Sequence, residues 1–380
     1  MAPSRDGVHV GMAVSLTGQF GSQGRQALQG ASAWVQDTNT GGGMYVASAG
    51  RRLPVHLTHY DDGSTVHGAR SMTERLIAED GVDILLGPYS SVLTLAACDV
   101  AERHGTVLWN HGGASDRIYE QGFRWCVGVL APASRYLGGL VDLLLERDPR
   151  PRRVAVLHAQ RGTFPAAVAS GLEEEVSQRG SRVVLKRAYQ VPVTDFSALL
   201  DELEAAEPDL VAGVGRIQDD LALARQIRSR GLRAEAVALV VAGVAEFGRD
   251  LGDQADGFMG PSQWEPAASY PPEYGPTVDR LALGHPGFAS GDADYAMAQA
   301  YAAGLVAGRC VGEAGSLEAG ALREAASTLD FTTFYGRFRI DPDTGRQVGR
   351  SVIIVQWQGR RKAVLWPPEM REAEPVDFAP

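Results

Sequence analysis

Two short stretches of this chain gather hydroxyls and glycines where donors can converge on one atom. Leu85-Leu86-Gly87-Pro88-Tyr89-Ser90-Ser91 ends an apolar run in two serines, and Trp109-Asn110-His111-Gly112-Gly113-Ala114-Ser115-Asp116 ends another in two glycines and a third serine. A serine that opens a helix offers its hydroxyl beside backbone N–H groups at a positive dipole end, and glycine lets backbone approach a ligand closely. Such groups can hold a carboxylate or amide oxygen without a full cationic partner. The same residues also have plainer uses: Ser90 and Ser91 as helix caps, Gly112 and Gly113 as a turn. Phe20, Tyr89 and Phe164 can wall a ligand off from water or simply pack a core. Arg216 follows the run Val211-Ala212-Gly213-Val214-Gly215 and suits an anion, or else an ion pair with Asp219 or Asp220.

Signatures of catalysis are missing. No G-x-x-x-x-G-K-[ST] loop and no G-x-S-x-G elbow occurs, and Gly213-Val214-Gly215 fails the dinucleotide fingerprint because position 218 is Gln. The eight histidines include no H-E-x-x-H and no pair at metal-ligand spacing. No catalytic residue, metal site or cofactor is therefore predicted. The acidic pairs Asp61-Asp62 and Asp219-Asp220 read as caps or solvated faces. Cys98, Cys126 and Cys310 match no metal pattern and read as buried thiols. One bridge between Cys98 and Cys126 is compatible with the sequence, which does not decide it.

The elements that must position these residues follow a repeat. Apolar runs at 8–14, 53–60, 82–86 and 106–110, and again at 153–158, 182–189, 210–214 and 237–241, lack strict alternation, as strands buried on both faces of a parallel sheet do. Amphipathic patterns near 24–38, 66–79, 92–104, 134–147, 165–179, 196–206, 218–230 and 292–313 intervene. Strand and helix in alternation predict doubly wound α/β layers with right-handed crossovers. The repeat pauses at Ala131-Pro132-Ala133 and changes at Gly260-Pro261-Ser262-Gln263-Trp264-Glu265-Pro266, which leads into a Pro- and Tyr-rich loop. The tail reads as strands at 337–340, 352–357 and 363–366, separated by turns at Asp341-Pro342-Asp343-Thr344-Gly345 and Gln358-Gly359.

At 380 residues, two lobes are the natural division. A net charge of -10 argues against a protein that tracks nucleic-acid phosphates, although a pocket can still carry its own local cation. No apolar run is long enough to span a membrane. The first residues, Met1-Ala2-Pro3-Ser4-Arg5-Asp6, carry neither the basic end nor the apolar stretch of a secretory signal. That fits either a cytosolic protein or one whose signal has been removed.

Four stretches together resemble the branched-chain amino-acid and amide-binding branch of the type I periplasmic binding proteins. They are Val10-Gly11-Met12-Ala13-Val14-Ser15-Leu16-Thr17-Gly18-Gln19-Phe20-Gly21, the two serine-bearing stretches above, and Val211 to Gly215 with Arg216. The resemblance runs over about residues 7–368 in the expected order. It implies two doubly wound Rossmann-like lobes joined by a three-strand hinge, with ligand held between them. The first lobe would take 7–132 and 263–336, the second 133–262 and 337–380. The implied ligand-binding residues are Phe20, Tyr89, Ser90, Ser91, His111, Gly112, Gly113, Ala114, Ser115, Phe164, Arg216 and Trp264, the last with hinge packing as its alternative.

Two departures bear on the ligand. Amino-acid binders that this chain resembles hold the α-ammonium with an acid after the strand matching 237–241, yet here none comes before Glu246. Arg216 stands where a tyrosine usually lines their cleft. The second lobe's wall is therefore expected to favour an anion, and the ligand to be a small carboxylate, an amide, or an acid with a hydrophobic or aromatic body. The expected role is the extracytoplasmic binding component of an ABC importer, closing on its ligand and partnered by a permease. A ligand sensor of the same fold, cytoplasmic and controlling a partner protein, is the alternative. An α/β enzyme would need a catalytic group the sequence does not display.

Overall fold

The computed structural model describes residues 6–268, 270–289 and 293–378. The first five residues, read above for a signal, lie outside the described residues, as do position 292, where the last helical pattern was expected to start, and the final two residues of the expected second lobe.

The chain begins with β1 (Val8–Val14), α1 (Gly21–Thr40), the strand pair β2 (Met44–Val46) and β3 (Arg51–Leu53), β4 (Val55–Asp61), α2 (Val66–Ala78), β5 (Ile84–Leu86), α3 (Ser91–His104), β6 (Leu108–Asn110) and β7 (Cys126–Gly128). It continues through α4 (Leu140–Arg147), β8 (Arg153–Ala159), α5 (Thr163–Gln178), β9 (Arg182–Tyr189), α6 (Ser197–Ala206), β10 (Leu210–Val214), α7 (Ile217–Arg230), β11 (Ala236–Leu239), α8 (Ala245–Leu251) and β12 (Met259–Ser262). Next come α9 (Val278–Gly284), α10 (Pro286–Ala289), α11 (Tyr295–Ala314), α12 (Ala319–Thr328), β13 (Phe331–Thr333) and β14 (Gly336–Phe338), and last β15 (Ile353–Gln358) and β16 (Arg361–Trp366).

These elements form two compact α/β units, Met1–Pro132 with Ser269–Arg350 and Ala133–Ala268 with Ser351–Pro380, so the chain passes from one to the other three times. In the first, five parallel strands lie in the order β4-β1-β5-β6-β7. Helix α1 packs along α11, and α2 along α3. The apolar runs are buried as the missing alternation predicts: Val8, Val10, Met12, Ile84, Leu86 and Leu108 have no exposed surface. Each such side chain contributes about 1.5–3 kcal/mol. The second unit carries seven strands in the order β16-β15-β12-β11-β10-β8-β9, parallel from β12 to β9, with β15 and β16 antiparallel at one edge.

Several boundaries differ from the sequence reading. The helix expected over 134–147 is a short 3-10 turn at Ala133–Arg135 followed by α4, because Gly139 turns the chain at φ +86° and its missing Cβ leaves room for the Trp366 indole. The pattern change at Gly260 to Pro266 begins inside β12, so residues 260–262 are strand in the second sheet. Trp264 and Glu265 stay with that unit, where Lys362 pairs with Glu265 at 2.6 Å. Residues 337–350, expected in the second lobe, belong to the first unit. There β14 pairs with β13, Ile340 bridges Gln347, and Gly128 donates to the Gly345 carbonyl. The expected single strand at 53–60 is β4 preceded by the β2–β3 pair, and 240–243 is a 3-10 turn rather than strand. Among the described residues no helix is long and apolar enough to cross a membrane.

Candidate functional site

Because its strands are parallel, the first unit's sheet delivers all its carboxyl-end loops to one edge, where ligands collect in open α/β sheets. After β1 and β4 the loops are tied together: the Ser15 hydroxyl donates to Asp62 at 2.6 Å, and Asp61 accepts from the backbone N–H of Leu16 and Gly63 and from the Thr17 hydroxyl. Asp61 thus works as the expected cap, and these bonds hold its carboxyl below the usual range although desolvation, the largest single effect, opposes them. Asp62 is not a solvated residue. It is buried with Oδ2 unpartnered, and burial pushes its carboxyl above the usual range.

The loop after β6 is organised by a residue the sequence reading passed over. Asn110 accepts the N–H groups of Gly112 and Gly113 on Oδ1 and donates from Nδ2 to the Gly113 carbonyl and the Tyr119 hydroxyl. This pins the glycines against the start of α3. A Cβ on Gly112 would stand 2.3 Å from the Pro88 carbonyl oxygen, and one on Gly113 2.5 Å from Thr94. The glycines serve a close approach between two strand-end loops rather than a mere turn.

The serines divide their work. Ser91 accepts the Ser115 N–H at 2.9 Å, so its hydroxyl ties α3 to the loop after β6. Ser90 occupies the N-cap position but makes no capping bond with its side chain. Its backbone stands at φ +83°, ψ 144°, a conformation almost reserved for glycine. Its hydroxyl is buried without a hydrogen-bond partner, and so is that of Ser115. Ala114 is buried beside them. His111 has no exposed surface, and burial pushes its imidazole down to about 4, which makes it neutral at pH 7.

Phe20 and Tyr89 do meet, with ring centroids 5.9 Å apart, and Phe20 also packs on Ala69, Leu93 and Ala96. A third ring joins them. Tyr295, at the start of α11, hydrogen-bonds the Tyr89 hydroxyl across 206 residues of chain and was not a sequence candidate. Its only local signal is Asp294, which caps α11 by accepting the Tyr295 N–H.

Phe164, Arg216 and Trp264 belong to the second unit. Phe164, near the start of α5, meets Tyr136 edge-to-face at 5.0 Å. Trp264 is fully buried, as a packing residue would be. Arg216 lies at the carboxyl end of β10 with its side chain exposed, and it forms no ion pair with Asp219 or Asp220. Those acids are buried instead. Asp219 accepts the Arg216 N–H, and Asp220 accepts the Val241 N–H at 3.2 Å, joining the loops after β10 and β11. Burial holds the Asp220 carboxyl well above its usual range. The Tyr189 hydroxyl, also unpartnered, reaches the same spot, since a Cβ on Gly215 would meet both it and Asp220. Among the described residues no group of three or more metal-binding side chains occurs.

The sequence pattern of the periplasmic binding protein family matches residues 7–362. The chain belongs to that family. Its members are substrate-binding proteins, so it is placed among binding proteins rather than enzymes. A Leu/Ile/Val-binding protein homolog from Brucella abortus is 23% identical over 237 residues, 60% of this chain and 57% of the relative. The chain thus spans somewhat over half the length of that curated relative. A putative branched-chain amino acid ABC transporter structure from Silicibacter pomeroyi superposes with a TM-score of 0.83 at 20% identity, covering 98% of this chain and 99% of that one. A solute-binding protein of an ABC transporter from R. palustris, in complex with benzoate, gives 0.74 at 16% identity over 94% and 95%. These likenesses bear out the two doubly wound α/β lobes of the type I fold.

Proposed function

We propose that this family member is the extracytoplasmic binding component of an ABC importer and takes a small carboxylate, or an amide that presents the same oxygen. The observation that carries the reading is Ser90: a buried hydroxyl without a partner, on strained backbone, beside the equally unpartnered Ser115. A protein keeps such a cost where the group has a use that the ligand-free chain does not satisfy. A carboxylate oxygen accepts from both hydroxyls and lies near the N-terminus of α3, where the helix dipole favours negative charge. The rings of Phe20, Tyr89 and Tyr295 suit a hydrophobic or aromatic body on that acid. Arg216, exposed and without an acidic partner at the carboxyl end of β10, is a second group suited to an anion. The benzoate bound by the R. palustris neighbour has this chemistry, whereas the Brucella relative is named for leucine, isoleucine and valine. An α-amino acid also needs an acid for its ammonium group, and Asp220 is buried, with burial pushing its carboxyl above the usual range and so disfavouring the charged form such a contact needs. Release to a permease partner completes the proposed role.

A thermal-shift panel tests the ligand class, with benzoates, short aliphatic acids, amides, and branched-chain and aromatic amino acids. A carboxylate at ~100 times its dissociation constant should stabilise the protein by about 2.7 kcal/mol. Stabilisation by leucine or a similar amino acid alone would overturn the carboxylate reading.

A further inference from the structure

Beneath the strand-end loops of the first unit, two cysteines separated in sequence come together. Cys98, on the inner face of α3, and Cys126, the first residue of β7, share one core cluster with Leu108, Ile118 and Tyr119, and both are 1% exposed. Leu108 of β6 lies directly beside Cys126 in the sheet. All three cysteines of the chain are free; Cys98 and Cys126 lie in one core cluster on two elements that pack together, α3 and β7, whereas Cys310 lies on α11. A disulfide spans up to about 7 Å between Cα atoms, the scale on which packed neighbouring elements meet.

We infer that Cys98 and Cys126 are a built disulfide site, which closes when the chain folds under oxidising conditions. The step is a thiol–disulfide exchange with a small-molecule or protein disulfide. One thiolate attacks that disulfide and expels its first sulfur as a thiolate, the second thiol of the pair, deprotonated, attacks the mixed disulfide, and the donor's second sulfur leaves as a thiolate. The two cysteines lose two electrons and two protons, and the donor disulfide gains them. The bond forms during folding, because in the folded chain burial raises the Cys98 thiol well above its usual range and closes it to solvent. The inference uses the extracytoplasmic reading only as the natural source of the oxidant.

The position gives the bond a role in the site. Tyr119 packs in the same cluster, and its hydroxyl accepts from Asn110, which holds Gly112 and Gly113 in place. A crosslink from α3 to β7 therefore braces the floor on which the loop of Ser115 rests.

The test is refolding of the full-length reduced chain in a glutathione redox buffer, followed by thiol counting under denaturing conditions and a non-reducing peptide map. The expected result is a Cys98–Cys126 peptide pair, one remaining thiol on Cys310, and a melting temperature that falls by several degrees on reduction. C310S should leave all of this unchanged, and C98S and C126S should each abolish the reduction-sensitive step. Amide hydrogen exchange over residues 110–119 should slow in the oxidised form. Three free thiols at an oxidising poise, or a bond that includes Cys310, would overturn the inference. Should the chain refold poorly, export behind a signal peptide into a bacterial periplasm and the same peptide map decide the question with the same two outcomes. Ligand panels run on both redox forms keep the site and the crosslink separable, since binding in both forms without a crosslink removes only the latter.

Discussion

Replacing Ser90 by glycine should make the protein more stable and worse at its task. Ser90 sits at φ +83°, and such a backbone costs a non-glycine residue about 1–3 kcal/mol. Its hydroxyl contributes no hydrogen bond in the ligand-free chain. Glycine relieves the strain but adds about 0.5–1 kcal/mol of unfolded-state entropy. The net expectation is a gain of about 1 kcal/mol, which for a chain of this size raises the melting temperature by roughly 1 °C. Binding should move the other way. Loss of a hydrogen bond to a charged oxygen costs about 1.5–3 kcal/mol, which corresponds to roughly 10- to 150-fold in dissociation constant. Ser90→Ala separates the two effects, because it removes the hydroxyl and keeps the strain: affinity should fall as far, without the stability gain. The assay is differential scanning fluorimetry on the ligand-free proteins, then calorimetric titration with the carboxylate that most stabilises the wild type. A glycine variant that melts lower, or that binds as tightly as the parent, would refute the reasoning.

Further outcomes follow from other residues. Gly112→Ala should destabilise by about 1–3 kcal/mol and weaken ligand binding, because its Cβ falls 2.3 Å from backbone oxygen, whereas Gly320→Ala on α12, with open space around it, should be neutral or stabilising in the same melting assay. Arg216→Ala should change stability by less than about 0.5 kcal/mol, as at other exposed sites, and should weaken carboxylate binding roughly tenfold or more in the titration. Glu175 accepts the Gly139 N–H at 2.8 Å, yet burial pushes its carboxyl up from 4.5 to about 7. Its folded value is raised, so its favourable contribution is complete below pH 4.5 and is lost as the pH climbs through about 7, a change of about 3 kcal/mol in all. Denaturant melts across this window should show the decline for the wild type, and Glu175→Gln should flatten it.

Much of this molecule is written in short windows of its sequence. The unbroken apolar runs of β1, β8 and β10 announce strands buried on both faces, and their alternation with amphipathic stretches announces parallel α/β layers. Ser90, Ser91, Gly112, Gly113 and Ser115 stand out because strand ends and helix starts carry turn and donor chemistry that depends on residue type alone. Those signals are local: side-chain periodicity and backbone preference act over a few residues. What the tertiary structure decided depends on which strands become neighbours. Asn110 looks like an ordinary strand end until β7 and Tyr119 are placed beside it. Asp62 and Asp220 read as caps or solvated charges until Ser15 and Val241 pair with them in the interior. Tyr295 reaches Tyr89 only because α11 returns to the first unit after the chain has built most of the second. Residues 337–350 read as part of the closing strands, yet pairing with β13 and the bond from Gly128 to Gly345 keep them in the first unit. Local pattern sets what each segment becomes, and sheet order, fixed by burial over the whole chain, sets which distant polar groups must satisfy one another.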